Sequence, residues 1–254
     1  MINRLREIED AYMELFCQKQ AFSNMHIFSN NAIPGMYCHN FVLFQDIAKQ
    51  EDIKEYISNC LREMKSEEKG FLKFVFHPNI KVPPEILEWA EEQGFEVSYI
   101  KYMCMPAPSD IAPAEESSCI VKRAQTADEI EMGLACAAQY ETSPIGEKKL
   151  RQKRELYLNQ SLSYYVCYVD GSPVGYCDYF VKDGIVKLEE FVVLDQYQGK
   201  GYGTKMLHKM LSDAVIQGSR YVYVVTDAQE KEHNLYYKMG FDFVGEEAEL
   251  FFIQ

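Results

Sequence analysis

The chain has 254 residues, 47% of them hydrophobic and 13% aromatic, enough to bury a full core in one large domain or two smaller ones. Its formal net charge is −13, divided as −8 over residues 1–117 (11 basic, 19 acidic) and −5 over residues 118–254 (15 basic, 20 acidic). Such acidity argues against sequence-independent binding to nucleic acid or to an anionic membrane surface, both of which need a positive face; it suits solubility first and a cationic substrate second.

No apolar run reaches the length of a membrane span, and the opening Met1-Ile2-Asn3-Arg4-Leu5-Arg6-Glu7 contains no apolar signal core. Eight cysteines are scattered without a Cys-x-x-Cys pair, and five dispersed histidines give no metal-ligand spacing. The expectation is a cytoplasmic protein with reduced, buried thiols and no metal.

In chain order, residues 51–64 read as a helix and 71–76 as a strand, followed by a helix over 85–93 that stops at Gly94-Phe95 and a strand over 97–103. Residues 105–117 carry Pro106, Pro108 and Pro113 among small polar residues, a semi-extended linker. The domain boundary is placed there, with one domain over 1–104 and a second over 118–254. The second begins with a strand at 119–123. Thr126-Ala127-Asp128-Glu129 then has the spacing of a capping box and opens a helix toward Gln139. A polar helix follows over 146–158. Strands at 162–169 and 174–181 flank Asp170-Gly171-Ser172-Pro173, a hairpin turn. A long strand covers 185–194, after which Met206, Leu207, Met210, Leu211, Ala214 and Val215 mark one face of a helix ended by Gly218. Residues 221–225 form a buried strand, 231–239 a short helix stopped by Gly240, and 241–252 a closing strand. The order predicts a mixed α/β sheet. Helix, strand, helix, Gly-Phe, strand occurs in both halves, which points to an internal repeat.

Between the strand at 191–194 and the helix after it lies Gln198-Gly199-Lys200-Gly201-Tyr202-Gly203-Thr204. A glycine-rich turn that leaves a strand and opens a helix aims several backbone N–H groups one way, at the positive end of the helix dipole. Its glycines allow close approach and positive φ, so the turn is an anion cradle suited to phosphate. No Gly-Lys-Ser/Thr ending or Mg²⁺-binding acid accompanies it, which disfavours a nucleotide-phosphate loop.

This second half resembles the GNAT (Gcn5-related N-acetyltransferase) superfamily. Gln198, Gly201 and Gly203 fill that family's Gln/Arg-x-x-Gly-x-Gly/Ala signature, and Phe191-Val192-Val193 with Asp195-Gln196-Tyr197 look like its approach to the loop. Leu235-Tyr236-Tyr237-Lys238-Met239-Gly240-Phe241 matches its aromatic-Tyr-x-x-x-Gly-Phe helix end, with Leu in place of the aromatic. The resemblance covers residues 118–254, and the Gly94-Phe95 echo suggests a degenerate copy over 1–104, a tandem arrangement. It implies an acyl-CoA N-acyltransferase-like fold and acetyl-CoA as co-substrate. The activity implied is direct acetyl transfer to a primary amine of a small molecule, amino acid or peptide. The competing class is a sensor or scaffold that binds acyl-CoA without turnover. Homodimers are common in the family.

Residue by residue, the resemblance gives Gln198, Gly199, Lys200, Gly201, Tyr202, Gly203 and Thr204 the cofactor's diphosphate, held mainly by backbone. Lys200 adds a charge contact or stays solvated, and Tyr202 packs on the helix or lies along the cofactor. Main-chain groups of Phe191 and Val193 pair with the pantetheine arm, and Tyr236 protonates the departing sulfur. Glu189 and Glu190 are the general-base candidates; strand alternation sends them to opposite faces, so one faces the cleft. Lys187 stands where the histone-type branch has its base, while Glu189 matches the position used by some aminoglycoside-type members. Gln229 and Glu232 replace the family's usual Asn and Ala. His208 reads as an exposed helix residue, and Cys167 and Cys177 as buried strand residues.

Overall fold

A computed structural model describes residues 1–47, 49–67, 70–108, 119–227 and 233–254. In chain order the elements are α1 (Ile2–Met13), β1 (Gln18–Ala21), β2 (Met25–Ser29), β3 (Phe41–Phe44), α2 (Gln50–Glu67), β4 (Phe71–Phe76), α3 (Pro84–Glu92) and β5 (Glu96–Pro106). They continue with β6 (Cys119–Arg123), α4 (Ala127–Ala137), α5 (Pro144–Leu158), β7 (Ser163–Val169), β8 (Ser172–Lys182) and β9 (Ile185–Val193). The chain ends with α6 (Tyr202–Ile216), β10 (Tyr221–Asp227), α7 (His233–Lys238) and β11 (Asp242–Ile253). Most of the expected linker lies outside the described residues, as do Gln229 and Glu232.

The chain divides into two compact units, one of Met1–Tyr102, Thr226–Lys231 and Phe243–Gln254, the other of Met103–Val225 and Glu232–Asp242. Proximity along the sequence had put β11 with the second half; in space its residues from Phe243 onward belong to the first unit.

In the first unit β1, β2 and β3 form an antiparallel meander, and β3 runs parallel to β4 through the α2 crossover, with Val42 opposite Phe74. Strand β11 then pairs antiparallel with β4, Glu249 opposite Val75. The core holds Phe44, Ile57, Phe74, Phe76, Ile86 and Leu250. Helix α1 was not evident in the sequence, and its burial explains why. Beside Leu5, Ile8 and Tyr12 it buries Arg6, Glu9 and Asp10, so its inner face does not read as apolar. Arg6 bonds Asp10 at 2.9 Å and Glu247 at 3.1 Å, and the Tyr102 hydroxyl donates to Glu247 at 2.9 Å, which satisfies the buried charges mutually.

In the second unit β6, β7, β8 and β9 form an antiparallel meander and β9 runs parallel to β10 through α6. The same succession of antiparallel meander, helix and parallel strand therefore occurs in both units. The Gly-Phe echo has a physical basis in helix termination. In α7 the Phe241 N–H donates to the Tyr236 carbonyl and the Gly240 N–H to that of Tyr237; in α3 Phe95 and Gly94 do the same with Ala90 and Glu91. Both glycines take φ +91°, so each helix closes on a Schellman cap, for which Gly is the least strained residue.

Local signals in the second unit operate as the sequence suggested. Thr126 Oγ1 accepts the Glu129 N–H and the Glu129 carboxylate accepts that of Thr126, both at 3.3 Å, completing the capping box. Asp170 and Gly171, at φ +50° and +78°, make a two-residue turn between β7 and β8 whose handedness suits the strand twist.

Leu250→Ala tests the spatial assignment of β11, because Leu250 is fully buried in the first unit's core. The substitution should lower the unfolding free energy by about 2–5 kcal/mol, measured by urea denaturation.

Candidate active site

The site is built around a break in β9. Pairing with β8 runs from Lys182 opposite Ile185 to Gly175 opposite Val193, with a register shift between Tyr176 and Asp178. Glu190 sits there at φ +51°, a conformation that costs a non-glycine residue roughly 1–3 kcal/mol. Pairing with β10 ends earlier, at Leu188 opposite Val224. Past Leu188, β9 stays on β8 but parts from β10, leaving the main-chain edge of residues 189–193 unpaired by β10.

The bulge also corrects the expectation that Glu189 and Glu190 point to opposite faces. Glu189 lies directly opposite Asp178, and Lys153 bonds both Asp178 and Glu190, so all three carboxylates share the face covered by α5. One extra residue in the strand resets the alternation. Phe191 and Val193 consequently turn to the α6 side, where they pack against Gly203 and the core below it.

That side opens into a cleft of about 340 Å³ lined by Phe191, Val193, Gln198, Gly199, Gly201, Gly203 and Tyr236, among others. The structure thus brings the glycine loop, the outer half of β9 and the α7 phenol together. Gly199 and Gly201 take φ +73° and +81°, and Gly201 is the N-cap of α6 without any side-chain cap. The first-turn N–H groups of Tyr202, Gly203 and Thr204 have no intrahelical carbonyl to meet and stand at the cleft with the positive end of the helix dipole.

Several loop side chains are engaged within the protein. Gln198 Nε2 donates to the Val193 carbonyl at 3.0 Å and to Asp195 Oδ1 at 3.2 Å, bracing the loop against β9. Lys200 Nζ donates to the Gln196 carbonyl at 3.0 Å and lies 5.2 Å from the Tyr197 ring centroid, turned back on its own turn. Tyr202 packs into the core and also lines the cleft. Tyr236 is buried edge-on between Phe191 and Phe241, at centroid distances of 6.4 and 5.6 Å, while Tyr237 is exposed.

On the α5 face lies a buried charge network that no motif announced. Lys153 Nζ is 2.6 Å from Asp178 Oδ2 and 2.5 Å from Glu190 Oε2. Lys149 bonds Glu190 at 2.6 Å and also holds Glu141, while the Tyr157 hydroxyl donates to Asp178 Oδ1 at 2.5 Å. Lys187, itself buried, holds Glu189 at 2.6 Å. In each pair involving β9 the carboxylate is the more open member: the side chains of Glu189 and Glu190 are 32% and 24% exposed, those of Lys187 and Lys153 only 1% and 2%. Burial pushes the Glu190 carboxyl up, but Lys153 and Lys149 outweigh it and bring it down to about 2. Burial raises Asp178, with Lys153 opposing and Glu190 reinforcing. The one sequence signal for this network was Asp178, a lone charge inside an otherwise apolar strand.

Of the remaining sequence candidates, Cys167 and Cys177 are buried, and Cys177 Sγ donates to the Glu189 carbonyl at 3.4 Å. His208 is half-buried rather than exposed; its Nδ1 is shielded from solvent with no hydrogen-bond partner among the described residues. Among the described residues no group of three or more His, Cys, Asp or Glu is placed to hold a metal, and no helix is long and apolar enough to cross a membrane.

A depressed carboxylate contributes stability above its unfolded pKa and loses it as pH falls through the folded value. For Glu190 that window runs from about 4.5 down to about 2. The difference in unfolding free energy between the parent protein and Glu190→Gln should therefore be widest near neutral pH and shrink across this window, followed by urea unfolding at each pH.

Residues 132–241 match the model of the acetyltransferase (GNAT) family. The chain is similar to the uncharacterized N-acetyltransferase CgeE of Bacillus subtilis, at 24% identity over 264 residues, covering 95% of this chain and 94% of that one. Among solved structures, a conserved Staphylococcus epidermidis protein of unknown function aligns with a TM-score of 0.75 at 18% identity, covering 96% of each chain. A GCN5-related N-acetyltransferase from Kribbella flavida aligns at 0.70 and 13% identity, covering 98% of this chain and 95% of its own. The matched segment and the relative aligned along the whole chain agree: residues 132–241 carry a GNAT-type acetyltransferase domain.

Proposed function

We propose that the protein transfers an acetyl group from acetyl-CoA to a primary amine of a small molecule, amino acid or peptide. The observation that carries this reading is the cleft itself, where an uncapped helix N-terminus, an unpaired strand edge and a buried phenol line one cavity. A diphosphate would be held by the N–H groups at Gly199 to Thr204 and a pantetheine arm would add to the free edge of β9 at Phe191 and Val193 as a further strand. Its sulfur would then lie toward Tyr236, whose hydroxyl would protonate the departing thiolate. The Val193 carbonyl already accepts from Gln198, so at that residue the N–H is the group offered to the cofactor.

Of the two carboxylates, Glu189 is the better general base. Two lysines clamp Glu190 and lower its carboxyl to about 2, which removes its driving force for taking a proton from an ammonium near neutral pH. Among the described residues Glu189 is held by Lys187 and has the more open side chain, and it would meet the amine from the α5 face of β9, across the strand from the cofactor cleft. We assign Glu190 the task of shaping the bulge. The first half is, in this reading, a degenerate copy of the second. Both units share a strand succession and Gly-Phe caps, but residues 45–49, Gln45-Asp46-Ile47-Ala48-Lys49, contain no glycine where the second half has its loop.

The test is release of free thiol from acetyl-CoA across amines, amino acids, polyamines, aminoglycosides and peptides, paired with calorimetric titration of CoA. Gly201→Val forces a β-branched residue into positive φ and should abolish the heat of CoA binding without unfolding the protein; undiminished binding would overturn the cradle assignment. Tyr236→Phe and Glu189→Gln should each lower kcat by about 10²-fold or more while leaving CoA binding in place. Glu190→Gln should change stability more than rate.

A further inference from the structure

The connection between α4 and α5, residues 138–143, is fastened at two points to the strand that forms the cleft. The Tyr140 hydroxyl donates to Asp195 Oδ1 at 3.0 Å and accepts the Asp195 N–H at 3.1 Å, a reciprocal pair. The same Asp195 oxygen accepts from Gln198, which braces the glycine loop. One residue along, Glu141 is held by Lys149, which also holds Glu190. The connection is thereby tied to both ends of residues 190–195, the stretch whose main chain is offered to the cofactor.

The two fastenings differ in kind. Lys149 is largely buried and shared between two carboxylates, so the Glu141 end is fixed. Tyr140 is 46% exposed, so the Tyr140 end is held from the surface. Exposed hydrogen bonds such as these bias an equilibrium by about tenfold or less, enough for a latch and too little to hold the fold together. A residue that contributes so little to stability, yet meets both the side chain and the main chain of one residue in the cofactor loop, is placed to sense the state of that loop.

We propose that Tyr140 is a positioning residue that latches the α4–α5 connection onto Asp195, so that a cofactor which orders the glycine loop also orders the connection. This rests on the acetyl-CoA reading above. By linkage, whatever closes the latch strengthens cofactor binding by the same factor that the cofactor strengthens the latch. The connection leads from Tyr140 past Glu141 to the α5 lysines, on the face that carries Glu189, so its order governs how the amine is presented to the base.

The test is amide hydrogen exchange over residues 138–146 with and without CoA, in the parent protein, Tyr140→Phe and Asp195→Asn, beside calorimetric titration of CoA. In the parent, CoA should slow exchange there by about fivefold or more. In Tyr140→Phe the slowing should vanish and the CoA Kd should rise by the matching factor, about fivefold or more, while exchange without CoA elsewhere is unaltered. Asp195→Asn, which keeps an oxygen able to accept from Tyr140, should retain the slowing. Equal slowing in Tyr140→Phe, or none in a parent protein that binds CoA, overturns the latch. Absence of any heat with CoA is a separate result that overturns the cofactor reading and the latch with it.

Discussion

The bulge at Glu190 is the constraint on which the site depends. A parallel pair such as β9 and β10 is stable when its ladder continues, and here the ladder stops after four residue pairs although both strands go on. Leaving main-chain groups without partners is costly inside a protein and useful at its surface, where a ligand can add to them as a strand. The positive φ of Glu190 is held by what its side chain reaches: two lysines of α5, one of which also neutralises Asp178 across the strand pair. The strained residue is thus anchored from the face opposite the cleft.

This arrangement explains how a strongly acidic chain carries three lysines behind the strand that forms the candidate site. Lys149, Lys153 and Lys187 point inward and each meets a carboxylate, so no uncompensated charge is buried. The carboxylate ends of the β9 pairs remain the more open ones, so the α5 face of the strand shows carboxylate oxygens rather than ammonium groups. Rigid support on one side of β9 and an open backbone edge on the other are two consequences of a single inserted residue.

The two units express one scheme with different endings. Each has an antiparallel meander, a crossover helix to a parallel strand, and a helix closed by a Gly-Phe Schellman cap. Only the second has glycines where the crossover helix begins, and there a cleft meets the helix N-terminus. The first unit instead buries Arg6 with Asp10 and Glu247, charges given over to holding α1 and β11 in place.

What the sequence determined by itself was local. Residue spacing set the capping box at Thr126, the turn at Asp170-Gly171, the glycine loop before α6 and the Gly-Phe helix ends, because each depends on backbone geometry over a handful of neighbours. From these the mixed α/β sheet and the family resemblance were legible. What tertiary structure decided was long-range. Alternation along β9 could not reveal the bulge, since an inserted residue shows only in the register with β8. The α5 lysines look like solvated charges until Asp178 and Glu190 are brought against them. The inner face of α1 hid behind charges whose partners lie far along the chain, and most of β11, last in sequence, belongs to the unit that begins at the N-terminus. Partners well separated in sequence leave no periodic trace, and it is their meeting that gives the glycine-rich turn a cleft with a face, a depth and a direction.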